Sequence, residues 1–220
     1  MLIVLPEVLL AEDVARALRE LDGAVWRDGK ATAGPAARAS KDNLQARGME
    51  ALGAFVRDAL ERHPLFLGAA RARRISPIMF SKYEPGMRYG SHTDDALMGA
   101  PEARLRTDLA FTLFLSDPAS YEGGELTIEG PSGEQAVKLP AGDAVLYPAG
   151  SIHHVAPLQS GARLAAVGWV ESYVRDAGQR EILFDLSQAR SRLAAAGAAQ
   201  SEMLRLDKAI SNLLRMWAET

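Results

Sequence analysis

The 220-residue sequence contains no cysteine. Disulfides, cysteine-based zinc sites, iron–sulfur clusters and thiol catalysis are therefore excluded. A strong charge of one sign is also missing, because 25 Lys and Arg stand against 28 Asp and Glu, for a net charge of −3. This balance gives no electrostatic reason to expect a nucleic acid or an anionic membrane as partner.

Long apolar segments are absent as well. No apolar run approaches the roughly 20 residues that a membrane-spanning helix needs. The opening M-L-I-V-L-P-E is too short for a signal peptide and lacks a basic segment before it. We therefore expect a cytoplasmic protein that binds neither membrane nor nucleic acid.

What remains is an ordinary globular composition, with 48% hydrophobic and 24% charged residues. The length suits one sizeable domain with an appendage. Residues 1–72 are expected to be mainly helical, because apolar residues recur at helical spacing around Leu18 and again from Leu44 to Leu60. Residues 27–43, between these stripes, read as a mobile polar loop.

Residues 73–177 are expected to form the core of the fold. Short β-branched or aromatic runs alternate there and are separated by Gly- and Pro-containing turns, without helices between them. About seven or eight such strands indicate an antiparallel double-stranded β-helix, or jelly roll. The fold class predicted is therefore α+β: a jelly-roll core with flanking N-terminal helices.

Residues 178–220 form a predicted C-terminal helical extension to the domain at 1–177. Two apolar stripes, separated at Gly197, need a surface to cover, either on the barrel or on a partner subunit, so a homo-oligomer through these helices is one expectation. The stripes consist of Ile182, Leu183, Leu186 and Leu193, and of Met203, Leu206, Ile210, Leu213 and Trp217.

The run S-H-T-D-D carries the first candidate metal ligands, His92 and Asp94. Side chains two apart on a strand point the same way, so the spacing favours Asp94 over Asp95. Two imidazoles and one carboxylate form the facial triad of mononuclear Fe(II) sites, which leaves positions for a bidentate co-substrate and O₂. The second imidazole would come from His153 or His154, and their adjacency alone leaves that choice open.

Arg163 is the candidate anion-binding residue. It lies ten residues after His153, beyond a turn, and heads a stripe of small and apolar residues that ends at Trp169. An arginine on an otherwise apolar inward face needs an anionic partner. The far carboxylate of a 2-oxo acid would provide one in a forked contact.

Four runs carry a family resemblance: S-H-T-D, R-T-D-L-A-F-T-L-F-L-S-D-P-A-S-Y-E-G-G-E-L, L-P-A-G-D-A-V-L-Y-P-A-G-S-I-H-H-V-A-P and R-L-A-A-V-G-W. In this order they resemble the bacterial PKHD-type hydroxylases, which are prolyl-4-hydroxylase-like, Fe(II)- and 2-oxoglutarate-dependent dioxygenases often associated with iron uptake. The resemblance extends over nearly the whole chain, from V-L-P near the N-terminus to L-L-R-M-W near the C-terminus.

The resemblance implies a role for each matching residue. It places the metal on His92, Asp94 and His153, and so selects His153 over His154. It assigns the co-substrate to Arg163, with Tyr83 and Trp169 lining the co-substrate pocket. The implied cofactors are Fe(II), 2-oxoglutarate and O₂, with L-ascorbate as reductant.

The implied reaction is hydroxylation of an unidentified substrate, a peptidyl residue or a siderophore-like small molecule, with oxidative decarboxylation of 2-oxoglutarate to succinate and CO₂. The aspartate at position 94 favours hydroxylation over halogenation. Two alternatives are a cupin-like metalloenzyme without 2-oxoglutarate and a non-catalytic iron or 2-oxo-acid sensor. Residues 27–43 and 96–106 are the expected lids over the site, with polar candidates at Lys41, Asn43, Arg104 and Arg106.

Overall fold

The structure, a computed structural model, describes residues 1–32, 34 and 38–220. Its α-helices within these residues are α1 (Ala11–Asp22), α2 (Glu50–Arg62), α3 (Pro64–Ala70), α4 (Ala177–Ala195) and α5 (Gln200–Trp217). The strands are β1 (Ile3–Leu5), β2 (Val25–Asp28), β3 (Lys41–Asp42), β4 (Leu44–Arg47), β5 (Ala72–Ile75), β6 (Met79–Tyr83), β7 (Arg88–His92), β8 (Leu97–Met98), β9 (Leu105–Arg106), β10 (Leu109–Phe114), β11 (Glu122–Gly123), β12 (Leu126–Gly130), β13 (Gly133–Val137), β14 (Ala144–Pro148), β15 (His153–Val155), β16 (Leu158–Ser160) and β17 (Arg163–Ser172).

Two antiparallel sheets form the core. The larger sheet runs in the order β1-β14-β10-β17-β6-β4-β2, with β5 also paired to β17, and the smaller runs β13-β12-β15-β7-β3. Two short ribbons, β8-β9 and β11-β16, lie outside them. This arrangement confirms the predicted α+β jelly roll with flanking helices and a C-terminal helical extension.

Strand β10 shows why the larger sheet is covered on both faces. All six of its residues are buried. Phe111 and Leu113 pack in the apolar cluster formed with α1, α2 and α3. Ala110 and Phe114 belong to the cluster shared with the smaller sheet. Because strand side chains alternate, helices cover one face of this sheet and the smaller sheet covers the other.

The prediction that residues 1–72 are mainly helical is only half correct. Besides α1, α2 and α3, this region supplies β1, β2 and β4 to the larger sheet and β3 to the smaller one. Leu44, assigned to a helical stripe, instead lies in β4 and pairs with Lys82 of β6. Pairing with the edge of the sheet outweighs local helix propensity here, whereas the stripe from Leu52 to Leu60 lies in α2 as predicted.

The described part of residues 27–43, which was predicted as a mobile polar loop, contains regular structure. Two 3-10 helices (Gly29–Thr32 and Arg38–Ser40) and strand β3 occupy most of it, and residues 33 and 35–37 lie outside the described residues. Gly29 N–H donates to the Asn43 carbonyl at 2.8 Å, which closes the segment into a hairpin-like turn. Backbone hydrogen bonding of this kind is the physical reason that a polar segment adopts regular structure here.

The C-terminal helices pack on the domain and on each other. Leu183 of α4 is fully buried in a cluster with Leu206, Leu213 and Trp217 of α5. Phe184 of α4 packs against α3 at Gly68. Ile182 and Leu193 were assigned to the apolar stripe but are about half exposed, since the narrow α4–α5 contact covers only one side of α4. No helix in the described ranges is long and apolar enough to cross a membrane.

Candidate metal centre and the cavity around it

Three candidate ligands meet beside β7 and β15, two neighbouring strands of the smaller sheet. His92 ends β7 and lies directly opposite His153, which begins β15. Asp94 follows just beyond β7, where its backbone N–H donates to the Ala149 carbonyl at 3.3 Å. One ligand atom from each of the three side chains lies within 4.8 Å of the other two, and His153 Nε2 is 3.9 Å from Asp94 Oδ1. A single cation could contact all three.

Both imidazoles are oriented by backbone carbonyls. His92 Nδ1 lies 2.8 Å from the Gly90 carbonyl oxygen, and His153 Nδ1 lies 2.9 Å from that of Ser151. A carbonyl can only accept, so each ring carries a proton on Nδ1 and donates it. The lone pair of each Nε2 is then free for a metal, as in most histidine-ligated metal sites.

The electrostatics of the cluster favour a bound cation. Burial lowers the pKa of His92 to about 4, and the neighbouring His153 acts in the same direction, so the His92 ring is neutral near pH 7. Burial raises the pKa of Asp94, whereas His153 opposes that rise. Asp94 Oδ2 is buried and has no hydrogen-bond partner within the described part of the chain. A divalent cation would satisfy this orphaned oxygen.

His154 and Asp95, the sequence neighbours of His153 and Asp94, lie outside the group of three ligands. His154 lies opposite Thr127 of β12 and does not line the cavity that contains the three ligands. Asp95 does line it, but its carboxylate packs against Gly34, where an added Cβ would lie 2.5 Å from Asp95 Oδ2. Neither side chain belongs to the group of three.

Arg163 lies deeper in the same cavity, at the start of β17. Its side chain is only 1% exposed, and it pairs in register with Tyr83 of β6. The guanidinium carbon lies 5.3 Å from the ring centroids of Tyr83 and Phe114. Its Nε and Nη2 have no hydrogen-bond partner among residues 1–32, 34 and 38–220. Because a buried, unpaired cation is costly, this geometry requires an anion.

The other two predicted pocket residues lie beside these groups. Tyr83 is buried, which raises its pKa, although the charge of Arg163 opposes the rise. Trp169 lies opposite Ala110 of β10 and lines the cavity together with Asp94. Its indole Nε1 is buried without a hydrogen-bond partner in the described ranges. All six predicted site residues thus line one cavity.

Three tyrosines near the site were not assigned a role from the sequence, and two of them, Tyr89 and Tyr147, line the cavity. Tyr89 stacks on the His92 ring with centroids 3.7 Å apart, and Tyr147 contacts His153 edge-on at 5.2 Å. Tyr121 is buried near Arg163, whose charge lowers a pKa that burial raises. The signal for Tyr89 was its place in R-Y-G-S-H, on the strand that carries His92.

The predicted lid residues separate into two pairs. Lys41 and Asn43 are buried and line the cavity. Arg104 is exposed. Arg106 donates hydrogen bonds to Asp108, to Glu219 and to the Ser172 carbonyl. Only the first pair is therefore in position to contact a ligand in this cavity.

Comparison with known proteins assigns the chain to a family. Residues 78–171 match the 2OG-Fe(II) oxygenase superfamily, and residues 177–219 match the PKHD-type hydroxylase C-terminal domain. A PKHD-type hydroxylase of Picosynechococcus sp. is 46% identical over 219 residues, which cover 98% of each chain.

Two solved structures share the fold. A prolyl-4-hydroxylase of Pseudomonas putida superposes with a TM-score of 0.52 at 21% identity, covering 78% of this chain and 92% of its own. HygX of Streptomyces hygroscopicus, solved with nickel and 2-oxoglutarate bound, superposes with a TM-score of 0.55 at 15% identity, covering 79% of this chain and 84% of its own.

Proposed function

The chain belongs to the PKHD-type hydroxylase family of Fe(II)- and 2-oxoglutarate-dependent enzymes, and we propose that His92, Asp94 and His153 hold its Fe(II). The observation that carries the assignment is the convergence of their ligand atoms within 4.8 Å. Support comes from the two Nδ1–H donors, which direct each Nε2 to the centre, and from the orphaned Asp94 Oδ2. Two imidazoles and a carboxylate match the donor preference of non-haem Fe(II).

Arg163 binds the distal carboxylate of 2-oxoglutarate in this proposal. Its buried Nε and Nη2 lack partners in the described chain, and a carboxylate accepts two parallel N–H bonds from a guanidinium. Tyr83 and Trp169 line the co-substrate pocket, Tyr83 directly across the sheet from Arg163. HygX, whose fold this chain shares, was solved with nickel and 2-oxoglutarate.

The protein's own residues prepare the site for the reaction. Gly90 and Ser151 carbonyls fix the tautomers of the two histidines, and burial keeps His92 neutral and able to ligate. Arg163 orients the co-substrate, and the aromatic walls formed by Tyr83, Tyr89 and Tyr147 keep water out. When bound, Fe(II) with 2-oxoglutarate and O₂ supplies the oxidising chemistry, in which C–H becomes C–OH while 2-oxoglutarate becomes succinate and CO₂.

The finer features of the activity are part of the same proposal. The substrate is a peptidyl residue or a siderophore-like small molecule that presents an unactivated C–H bond, and L-ascorbate serves as reductant. Asp94 supplies a carboxylate ligand, which favours hydroxylation over halogenation. Two observations argue against the alternatives: a cupin-like enzyme has no need of Arg163, and the relatives of this chain are named hydroxylases rather than non-catalytic sensors.

Succinate formation tests the proposal. The wild-type protein should convert 2-oxoglutarate to succinate only when Fe(II) and O₂ are both supplied, and His92→Ala, Asp94→Ala and His153→Ala should each abolish conversion. His154→Ala provides the matched control and should retain most activity. Succinate formation by Asp94→Ala at the wild-type rate would contradict the ligand assignment.

A further inference from the structure

Lys41 is a buried cation on the wall of the metal-site cavity. It lies in β3, the edge strand of the smaller sheet, and pairs in register with Tyr89 of β7, three residues before His92. Its side chain is only 5% exposed and lines the same cavity as the candidate metal ligands. Lysine is rarely buried to this extent without a partner of opposite charge.

The ammonium of Lys41 has only weak partners. Nζ donates to Thr32 Oγ1 at 3.1 Å and lies 5.0 Å from the centroid of the Tyr89 ring. No carboxylate oxygen of the described residues lies within 4.0 Å of it. Residues 33 and 35–37 add no acidic side chain, because they are Ala, Pro, Ala and Ala. An ammonium has three N–H donors, so Lys41 can donate further hydrogen bonds to a ligand in the cavity.

Neither the metal nor 2-oxoglutarate accounts for this cation. In the proposed site the Asp94 carboxylate belongs to Fe(II), and the distal carboxylate of 2-oxoglutarate belongs to Arg163. Arg163 stands on the larger sheet and its charge acts on Tyr83, Tyr121 and Tyr147. Lys41 stands on the smaller sheet and its charge acts on His92 and Asp94. The two cations therefore serve different parts of the cavity.

We propose that Lys41 binds a carboxylate group of the substrate and so holds the adjacent C–H bond at the metal centre. The inference rests on the proposed function, and it narrows the substrate to molecules that carry a carboxylate near the hydroxylated carbon. A single negative charge is favoured over a dianionic phosphate, because Lys41 is the one cation that faces this part of the cavity among the described residues, and Asp95 lies in the same wall. Lysine contacts such a group as a point charge through its ammonium.

Anaerobic calorimetry tests the inference in three successive titrations. The full-length protein is titrated first with Fe(II), then with 2-oxoglutarate to saturation, and then with hexanoate, hexanamide or hexyl phosphate. With the wild type, the first two titrations test the proposed function, and the third tests whether a carboxylate binds in addition to 2-oxoglutarate. The proteins compared are wild type, Lys41→Met, Lys41→Arg and, as a matched loss of one charge at an exposed position, Lys208→Met.

Hexanoate should bind wild type and Lys208→Met equally, and Lys41→Met should weaken it roughly 10-fold or more, as expected for loss of a hydrogen bond to a charged group. Lys41→Arg should recover most of the affinity. Hexanamide should bind wild type and Lys41→Met alike, and hexyl phosphate should bind more weakly than hexanoate. The 2-oxoglutarate affinity should stay unchanged in both Lys41 variants, and Lys41→Met should bind Fe(II) no more weakly than wild type, because it loses a positive charge that acts on His92 and Asp94.

Three outcomes would overturn the inference while leaving the proposed function standing. These are equal hexanoate affinity in wild type and Lys41→Met, no hexanoate binding to the wild-type complex, and tighter binding of hexyl phosphate than of hexanoate. A parallel loss of 2-oxoglutarate affinity in Lys41→Met would also overturn it, because Lys41 would then belong to the co-substrate site.

Discussion

Individual buried polar atoms without hydrogen-bond partners indicate which groups the cavity binds. Asp94 Oδ2, Arg163 Nε and Nη2, and Trp169 Nε1 are all buried, and none has a hydrogen-bond partner in the described part of the chain. Buried polar groups in proteins are nearly always satisfied, so four orphaned atoms around one cavity indicate bound groups. An anionic oxygen matches a metal ion, and a guanidinium matches a carboxylate.

Substitution of Arg163 tests this reasoning for a single side chain. Arg163→Ala should cost about 2–5 kcal/mol of 2-oxoglutarate binding, as removal of one partner of a buried charge pair does, which corresponds to a dissociation constant raised roughly 30-fold or more. Arg163→Lys should recover only part, because an ammonium cannot make the planar two-bond contact. Anaerobic calorimetry checks both values.

The iron titration of the same variant provides the control. Arg163 is not among the three candidate ligands, so Fe(II) affinity in Arg163→Ala should match the wild type. Equal 2-oxoglutarate affinity in wild type and Arg163→Ala would rule out the co-substrate role of this residue.

At the scale of elements, a buried acid joins the segment from residue 96 to 106 to the larger sheet. Glu171 of β17 accepts hydrogen bonds from Arg74 and Arg73, and from the backbone N–H of Arg106 in β9. Arg74 also donates to the Arg104 carbonyl. Strand β9 pairs with β8, which carries Met98 into the cavity wall. The segment from residue 96 to 106 is therefore anchored by Glu171.

Glu171→Gln should destabilise the protein by about 1–3 kcal/mol at pH 7, since hydrogen bonds to a charged group are lost while the arginines stay partly solvated. Burial acts to raise the pKa of Glu171, but Arg74 and the Arg106 backbone outweigh it and the pKa is lowered. Its stabilisation is thus present above the unfolded value of 4.5 and lost as the pH falls through the folded pKa.

The difference in free energy of unfolding between wild type and Glu171→Gln should therefore shrink as the pH is lowered below 4.5. Urea unfolding at a series of pH values measures it. A difference that stays constant from neutral to acid pH would show that the carboxylate charge of Glu171 contributes no stability.

The same elements show what the sequence could and could not predict. Alternating apolar residues and turn signals identified the strands of the jelly roll, because each follows from local periodicity. Strands β3 and β4 were missed, since their pairing with β7 and β6 depends on contacts distant in sequence. The burial of Lys41 was missed for the same reason, because a polar run gives no local sign of packing against a sheet.

Choices between neighbouring residues were the hardest part of the site. His153 and His154 are indistinguishable by spacing, and only the register of β15 against β7 brings His153 opposite His92. Periodicity favoured Asp94 over Asp95 by assuming a regular strand, although β7 ends at His92. The choice agrees with the geometry because the chain beyond His92 is held by the Ala149 carbonyl.

At the scale of the whole molecule, we propose that residues 178–220 form an extension distinct from the catalytic domain at 1–177. The extension lies on α3, and its cluster around Leu183 is separate from the two clusters of the barrel. It touches residues 96–106 through Glu219, whose carboxylate accepts a hydrogen bond from Arg106. None of the proposed site residues lies in it.

Deletion of residues 178–220 should lower the melting temperature or cause association of the protein, because the deletion uncovers the apolar side of α3. The truncated protein that remains folded should still bind Fe(II) and 2-oxoglutarate. Thermal melting, light scattering and calorimetry measure these properties. A truncation with native melting behaviour and mass, yet without co-substrate binding, would show that the extension helps to build the pocket.

The Fe(II) titration of two adjacent variants tests the proposed metal centre most directly. His153→Ala removes a ring whose Nε2 faces Asp94, whereas His154→Ala removes the neighbouring ring outside the cavity. Anaerobic calorimetry should show that His153→Ala loses most of its Fe(II) affinity and that His154→Ala keeps the wild-type value. Retention of Fe(II) by His153→Ala together with its loss in His154→Ala would contradict the assignment of the metal site.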